Sequence, residues 1–267
     1  MNEEQKRYIA YLNSTKPNHI IIKKTGWESI SLVEHRHRKT QIIYTLSGTL
    51  HIETAEGIFF VPEKHIAWIP QNATHRITSN SRQVSLVIFY SDIDKSELTD
   101  DKFSFGVYGT NSVIAENIRF IASSNNVISM SEQKDFYCFA SSFLNIIPKI
   151  APRLTFVLES RIIPDDSRLQ PVLDYIKQHI SEELTLDRTA SLYGFSTRNL
   201  SRLFSESGLH FNNYVNRHRI IRAIELITDG GKTMQEIAYE TGFNTPNHFN
   251  RVFKQVTGKS PKKYISE

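Results

Sequence analysis

Residues 190–208 read ASLYGFSTRNLSRLFSESG, and residues 238–258 read AYETGFNTPNHFNRVFKQVTG. The alanine, the glycine and the first phenylalanine recur at an offset of 48 residues. The arginine and the second phenylalanine recur at 49, and the final glycine at 50. Two slightly diverged copies indicate a duplicated structural unit rather than a long repeat array.

Each copy has the residues that begin and end the helices of a helix-turn-helix motif. Gly194 and Gly242 end the first helix, because glycine adopts the left-handed conformation that other residues resist. Ser196 and Thr245 are good N-caps for the second helix, and Pro246 suits its first turn. Apolar residues then recur at helical spacing, which predicts a buried face on each second helix.

The opposite faces of the two second helices carry polar side chains that suit DNA recognition. Arginine can bind guanine bidentately, asparagine can bind adenine, and all these types can contact phosphate. The predicted DNA-contacting residues are Arg198, Asn199, Ser201, Arg202, Thr245, Asn247, His248, Asn250 and Arg251. For matching residues such as Arg202 and Arg251, the alternative is that one of the two contacts only phosphate.

A long helix is predicted between the two motifs, from about residue 211 to residue 228. At ~1.5 Å per residue it would span ~27 Å. A rod of that length could hold two recognition helices in successive major grooves, ~34 Å apart along the duplex. We expect Arg219 in this helix to pack or pair within the protein rather than contact a base.

The C-terminal hundred residues resemble the AraC/XylS family of bacterial transcription factors. The resemblance is carried by residues 190–208, Tyr214, Arg219, Ala223, Leu226, residues 236–238, Gly242, Phe243, residues 249–254, residues 258–261 and Tyr264. It implies a sequence-specific DNA-binding regulator controlled by a small-molecule effector, usually an activator that contacts RNA polymerase. Repression stays open, and the resemblance also implies a homodimer through N-terminal helices.

The N-terminal half predicts a different fold class. Short β-type segments with turn residues between them occupy residues 19–90 and indicate an antiparallel sandwich or barrel. Helices are predicted at 111–122 and 132–147, the second with a capping box of Ser129 and Glu132 and an end at Pro148. We therefore predict an α+β protein of two domains, a cupin-like barrel with two packing helices and an all-α domain with two helix-turn-helix motifs. The predicted bounds are 1–162 and 168–267, with a linker at 163–167 and motifs at about 185–207 and 233–257.

A second resemblance, to the cupin fold, points to one cluster of polar residues. It is carried by His35-Arg36-His37, Gln41, Gly48 and residues 70–75, with Gln41 where that fold has glutamate. His35 and His37 are two residues apart, so on a strand they face the same side, and His75 could complete a three-histidine site. Two interpretations remain open. In the first, His35, His37 and His75 bind a divalent metal, with Gln41 as a poor fourth ligand; in the second, the four residues line an effector pocket or satisfy hydrogen bonds in the core. The neutral Gln41 side chain disfavours the metal.

Composition and charge narrow the function classes. Residues 168–267 contain 14 Lys and Arg against 10 Asp and Glu, whereas the first 167 residues contain 18 of each, so the positive excess lies in the predicted DNA-binding half. The single cysteine, Cys138, lies in an apolar run and is predicted to be buried. With no signal core and no run of about 18 apolar residues, we expect a cytoplasmic protein without a membrane span. We predict that the protein is not an enzyme. One alternative is a metal-dependent cupin enzyme with a DNA-binding tail. A second is a non-specific architectural DNA binder, which would be more basic than the net charge of +4 and would not need a sensor half.

Overall fold

The computed structural model describes residues 3–27, 29–79, 84–92, 104–154, 157–160 and 166–266. The chain divides into two compact units, Met1–Val157 and Leu158–Glu267. Residues 163–165 of the predicted linker lie outside the described residues.

The first unit is rich in antiparallel strands. Its elements, with one strand at the division between the units, are α1 (Glu3–Ser14), β1 (His19–Lys24), β2 (Ser31–His35), β3 (Thr40–Ser47), β4 (Leu50–Thr54), β5 (Gly57–Val61), β6 (His65–Ile69), β7 (His75–Thr78), β8 (Ser85–Ser91), β9 (Gly106–Gly109), α2 (Ser112–Ala122), β10 (Val127–Ser129), α3 (Lys134–Ile150), β11 (Arg153–Leu154) and β12 (Val157–Ser160). One sheet has the order β10-β1-β8-β3-β6-β9-β11, and another contains β5-β4-β7-β2 in that order.

The main core of this unit lies between the larger sheet and two helices. Trp68 and Phe89 from the sheet, Ile118 from α2 and Leu144 from α3 belong to one buried cluster. The sheet contributes alternate side chains and each helix one apolar stripe, so both helices cover the same face. This agrees with the prediction of two helices packed on a β domain.

Three local predictions in this region are wrong. Ser129 ends β10 and its hydroxyl lies 2.8 Å from that of Ser131, while no side chain caps the N-terminus of α3 among the described residues, so the predicted capping box is not formed. Pro148 lies inside α3, which continues to Ile150, because a proline in the last turn removes only one backbone hydrogen bond. Cys138 is exposed, since the buried stripe of α3 passes through Tyr137 and Ala140 instead.

From residue 166 onward, the described part of the second unit consists of helices and the turns between them. Its helices are α4 (Leu169–Gln178), α5 (Leu186–Leu192), α6 (Thr197–Glu206), α7 (Phe211–Asp229), α8 (Met234–Glu240), α9 (Pro246–Thr257) and α10 (Pro261–Ser266). The predicted N-caps Ser196 and Thr245 accept from the backbone N–H groups of Asn199 and His248. The pairs α5–α6 and α8–α9 are the two helix-turn-helix motifs, and α7 is the predicted long helix between them.

Arg219 of α7 joins the second motif to the turn after α4. Its guanidinium donates to the carbonyl oxygens of Ile180 and Glu182, both at 2.8 Å, and lies 5.6 Å from the ring centre of Phe243. Gly242 lies directly beside this contact, because a Cβ there would be 2.5 Å from the Ile180 carbonyl oxygen. The prediction that Arg219 has a structural role is therefore confirmed.

Candidate DNA-binding surface and effector site

Helix α6 presents one polar face to solvent. Leu200, Leu203 and Phe204 are buried, and because α-helical positions turn by ~100° per residue, Arg198 and Arg202 point away from them. Arg198, Ser201 and Arg202 are exposed, and Asn199 is half-buried. All four predicted residues of the first motif thus lie on one helix.

Helix α9 repeats this arrangement with different side chains. Asn247, Asn250 and Arg251 are exposed. His248 is half-buried with its ring 5.4 Å from that of Phe243, and burial, aided by the nearby charge of Arg251, lowers its pKa. His248 is therefore a neutral hydrogen-bonding group near pH 7 rather than a phosphate-binding cation.

Thr245 differs from the other predicted contacts because its hydroxyl already has a structural partner. It accepts from the backbone N–H of His248 at 3.2 Å and caps α9. Arg202 also has partners on its own helix, Glu206 and Asn199.

In the first unit, the predicted histidines form a cluster. His35 at the end of β2 pairs across the sheet with His75 at the start of β7, and His37 lies in the turn before β3. One ring nitrogen from each of the three lies within 4.8 Å of the others. The three histidines that were grouped from the sequence therefore lie close together, and the pairing of β2 with β7 is what brings His75 to the other two.

The hydrogen bonds of the cluster decide which ring nitrogens are available. Nδ1 of His35 and of His75 donates to the carbonyl oxygens of Val33 and Ala73, at 2.8 Å and 2.9 Å. In neutral rings this leaves Nε2 unprotonated, the arrangement that metal-binding histidines use. Within the described part of the chain, the buried Nε2 of His75 has no hydrogen-bond partner.

Burial lowers the pKa of all three histidines, that of His75 to about 3. The rings are therefore neutral at pH 7, as metal ligands must be. In the neutral ring of His37, Nδ1 donates to the Lys39 carbonyl oxygen at 2.8 Å, so Nε2 is unprotonated; it lies 3.0 Å from the side-chain amide of Gln41. A divalent transition metal fits the three imidazoles, but His37 would have to exchange Gln41 for it.

A cavity of about 400 Å³ lies in the same unit, beneath α1. Its lining combines an aliphatic floor with polar groups and consists of Glu4, Gln5, Tyr8, Ile9, Leu12, Lys23, Thr25, Ser29, Ile30, Ser31, Leu32, His35, Ile43, Ile77, Leu86, Ile88 and Tyr90. Of the four predicted effector residues only His35 is part of it; His37, Gln41 and His75 are absent from this lining.

The polar groups of the cavity are mostly neutral. Burial raises the pKa of Tyr8 to about 12 and that of Tyr90 well above its usual range, so both phenols stay protonated and can donate. The ammonium group of Lys23 lies 4.7 Å from the ring centre of Tyr8. Helix α1, which forms one wall of the cavity, was not predicted from the sequence. The spacing of Tyr8 and Leu12, four residues apart, is nevertheless typical of an amphipathic helix.

Helices α2 and α3 expose aromatic side chains on the first unit. Phe120 and Phe139 are exposed by 57% and 39%, and their ring centres are 6.0 Å apart. Phe136 and Phe143 extend the row, with ring centres 6.2 Å and 6.3 Å from Phe139. We call these four residues the phenylalanine row; Cys138 is exposed beside it.

Comparison with known proteins shows that two segments of the chain match domain families. Residues 189–267 match the family described as a helix-turn-helix domain, and residues 23–101 match the AraC-like ligand binding domain. All nine predicted DNA-contacting residues lie in the first segment, and His35, His37, Gln41 and His75 lie in the second. None of the helices among the described residues is long and apolar enough to cross a membrane.

The individual relatives are named as regulators. The chain is 28% identical over 168 residues to an uncharacterized HTH-type transcriptional regulator of Staphylococcus aureus (strain COL), which covers 62% of this chain but 22% of that protein. It is 35% identical over 102 residues to the regulatory protein PocR of Salmonella typhimurium, covering 38% of this chain and 34% of PocR. A solved C-terminal domain of AraT, a response regulator from Geobacillus stearothermophilus, is 31% identical, covers 40% of this chain and 88% of that domain, and has a TM-score of 0.37.

Proposed function

The chain belongs to the AraC/XylS family of transcription regulators, with an N-terminal ligand-binding domain, and on that premise we propose that it binds operator DNA sequence-specifically under the control of a small molecule. The observation that carries this proposal is the pair of recognition helices, α6 and α9, each with a buried apolar face. The opposite face exposes Arg and Ser side chains in α6 and Arg and Asn side chains in α9.

In this proposal the two recognition helices enter successive major grooves on one side of the duplex. Helix α7 has 19 residues and is therefore ~28 Å long, a fair match to the ~34 Å repeat of the groove. Arg198 and Arg202 would bind guanine, and Asn199 and Asn247 adenine. Thr245 would contact the backbone at most, because its hydroxyl caps α9.

We place the effector in the cavity beneath α1. A volume of about 400 Å³ falls in the ~300–1,000 Å³ range of small-molecule sites. Because α1 supplies one wall through Tyr8, Ile9 and Leu12, a bound effector would contact this helix directly. The effector can change DNA binding only by binding one arrangement of the protein better than another.

The histidine cluster is the candidate metal site of the same domain. When bound, a divalent ion such as Zn²⁺ would act as a Lewis acid at His35, His37 and His75. The unpartnered, buried Nε2 of His75 supports this assignment, and the neutral Gln41 in place of a carboxylate weakens it. Metal analysis of the purified protein is the first test of this site. Turnover of a substrate by the metal-loaded protein would favour the alternative that the protein is a metal-dependent enzyme.

The family resemblance extends the proposal to partners. We propose an activator that contacts RNA polymerase while bound upstream, acting in the cytoplasm where the chromosome lies. We also propose that it forms a homodimer through α2 and α3, because the phenylalanine row leaves apolar surface that a second copy could cover.

The test is selection of bound fragments from random duplex DNA by the full chain at near-physiological salt. Enrichment of two short boxes about one helical turn apart is the expected result. Binding without an enriched sequence, falling steeply with salt, would mean phosphate contact alone and would refute the proposal.

A further inference from the structure

The two recognition helices differ in what holds their matching arginines. At an offset of 49 residues the buried residues correspond, so that Leu200, Leu203 and Phe204 match Phe249, Val252 and Phe253. The same offset pairs Arg202 with Arg251. Because the buried faces superpose in this alignment, the two arginines occupy equivalent places on the exposed faces.

Arg202 is held at both ends of its guanidinium. Nη1 donates to Oε1 of Glu206 at 2.6 Å, and Nη2 donates to Oδ1 of Asn199 at 2.9 Å. The side chains of Arg202 and Glu206 are about half exposed, at 57% and 50%. An exposed ion pair at i, i+4 adds little to the stability of the fold. Its main effect is therefore on the charge that α6 presents to a ligand.

Arg251 has no such partners. The positions equivalent to Asn199 and Glu206 hold His248 and Gln255, and within the described residues its guanidinium makes no hydrogen bond or ion pair. The exposed face of α9 therefore carries an uncompensated positive charge at the place where α6 carries a neutral pair.

Nucleic-acid affinity has a sequence-independent part, which grows with the net positive charge presented to phosphates, and a sequence-dependent part from base edges. Glu206 offsets the charge of Arg202 and repels phosphate, which reduces the sequence-independent part. The sequence-dependent part remains, because the guanidinium has five N–H donors and only two of them are used. A repulsive element of this kind raises specificity at the expense of affinity.

We propose that Glu206 is a specificity-determining residue of the first helix-turn-helix motif, which orients Arg202 for a base edge and suppresses its binding to phosphate. In consequence, α6 discriminates sequences, whereas α9, with Arg251 and Gln255, contributes more affinity and less discrimination. This inference rests on the proposed function, since it requires an operator.

The experiment uses the full chain and the bipartite duplex selected by the wild type. Two further duplexes have one box scrambled each, and the box read by α6 is the one at which Arg198→Ala relaxes sequence preference. Dissociation constants are measured at several salt concentrations for the wild type, Glu206→Gln and the reciprocal variant Gln255→Glu.

We expect Glu206→Gln to bind the duplex with a scrambled α6 box roughly two- to fivefold more tightly, the fold-change equivalent of one exposed charge pair. The gain on the intact duplex is smaller, so discrimination at that box falls, and the salt dependence steepens by up to about one ion released. Gln255→Glu has the opposite effect at the other box, weakening binding when that box is scrambled.

The inference is overturned if Glu206→Gln leaves discrimination and salt dependence unchanged, or if it weakens binding to all three duplexes alike, as a merely structural residue would. Failure of the proposed function looks different, because the wild type itself would then enrich no bipartite sequence. Both substituted residues are exposed, and a circular dichroism melt of each variant checks that the fold is intact.

Discussion

Alanine substitution of the two matching glycines tests how the second helix-turn-helix motif is anchored. Gly194 and Gly242 both have left-handed backbones, with φ of +70° and +82°. Adding a Cβ in that conformation costs about 1 kcal/mol at either site. At Gly194 the added carbon meets nothing within 4 Å among the described residues, whereas at Gly242 it lies 2.5 Å from the Ile180 carbonyl oxygen and 2.9 Å from Nε of Arg219.

The two variants should therefore differ although the substitution is the same. Gly194→Ala should lose about 1 kcal/mol of unfolding free energy, and Gly242→Ala a further ~1–3 kcal/mol, because backbone and a held guanidinium must move. With a urea m-value of ~2 kcal/mol/M, the midpoint of the helical unit should fall by about 0.5 M in the first variant and by about 1–2 M in the second.

The assay is urea unfolding of the full chain followed by two signals. Circular dichroism at 222 nm reports mainly on the helical unit, and tryptophan fluorescence reports on the first unit, because Trp27 and Trp68 both lie there. The fluorescence transition should be unchanged in both variants. Equal losses for Gly194→Ala and Gly242→Ala would refute the close approach of Gly242 to Ile180.

Four further predictions concern the binding surfaces. Arg198→Ala should cost ~1–3 kcal/mol on the selected operator and relax its sequence preference, as measured by titration of operator variants; no loss on any sequence would contradict a DNA contact. For an effector found by thermal-shift screening, Tyr8→Ala should weaken effector binding at least ~10-fold, because part of one wall of the cavity is lost. The control is Tyr11→Ala, because Tyr11 is exposed and lies outside the lining. Equal effector affinities of the two variants and the wild type, measured by calorimetry, would exclude this cavity. Cobalt titration should give a visible absorption band in the wild type that His75→Ala abolishes, and a band that survives the substitution would place the metal elsewhere. Phe139→Glu should convert a dimer to a monomer in sedimentation, and a monomeric wild type would remove the dimer proposal.

Local sequence signals were sufficient for the second unit. The N-caps Ser196 and Thr245 and the proline at the start of α9 occur as predicted, and a capping box of Thr233 and Glu236 begins α8. Caps and glycine C-termini act through backbone groups only a few residues away, so the sequence contains the whole interaction. The exposed faces of α6 and α9 follow from the helical spacing of the apolar residues on the opposite faces.

The sequence was less informative in the first unit. Strand β10 and the cavity beneath α1 were not predicted, and Cys138 and the capping box at Ser129 were predicted wrongly. Strand β10 exists because Ile20 pairs with Ile128, more than a hundred residues away. A short segment cannot encode such a partner, because β-pairing and burial depend on which side chains meet across the sheet.

The family resemblance and the duplicated motif could be recognised from the sequence, because both depend on residue types at fixed short spacings. Tertiary structure alone decided that His75 lies beside His35 through the pairing of β2 with β7. It also decided that Gly242 must be glycine because of the Ile180 carbonyl, and that α1 covers the cavity. Each of these contacts joins segments far apart in the chain, where the packing of the whole unit rather than local propensity sets the distance.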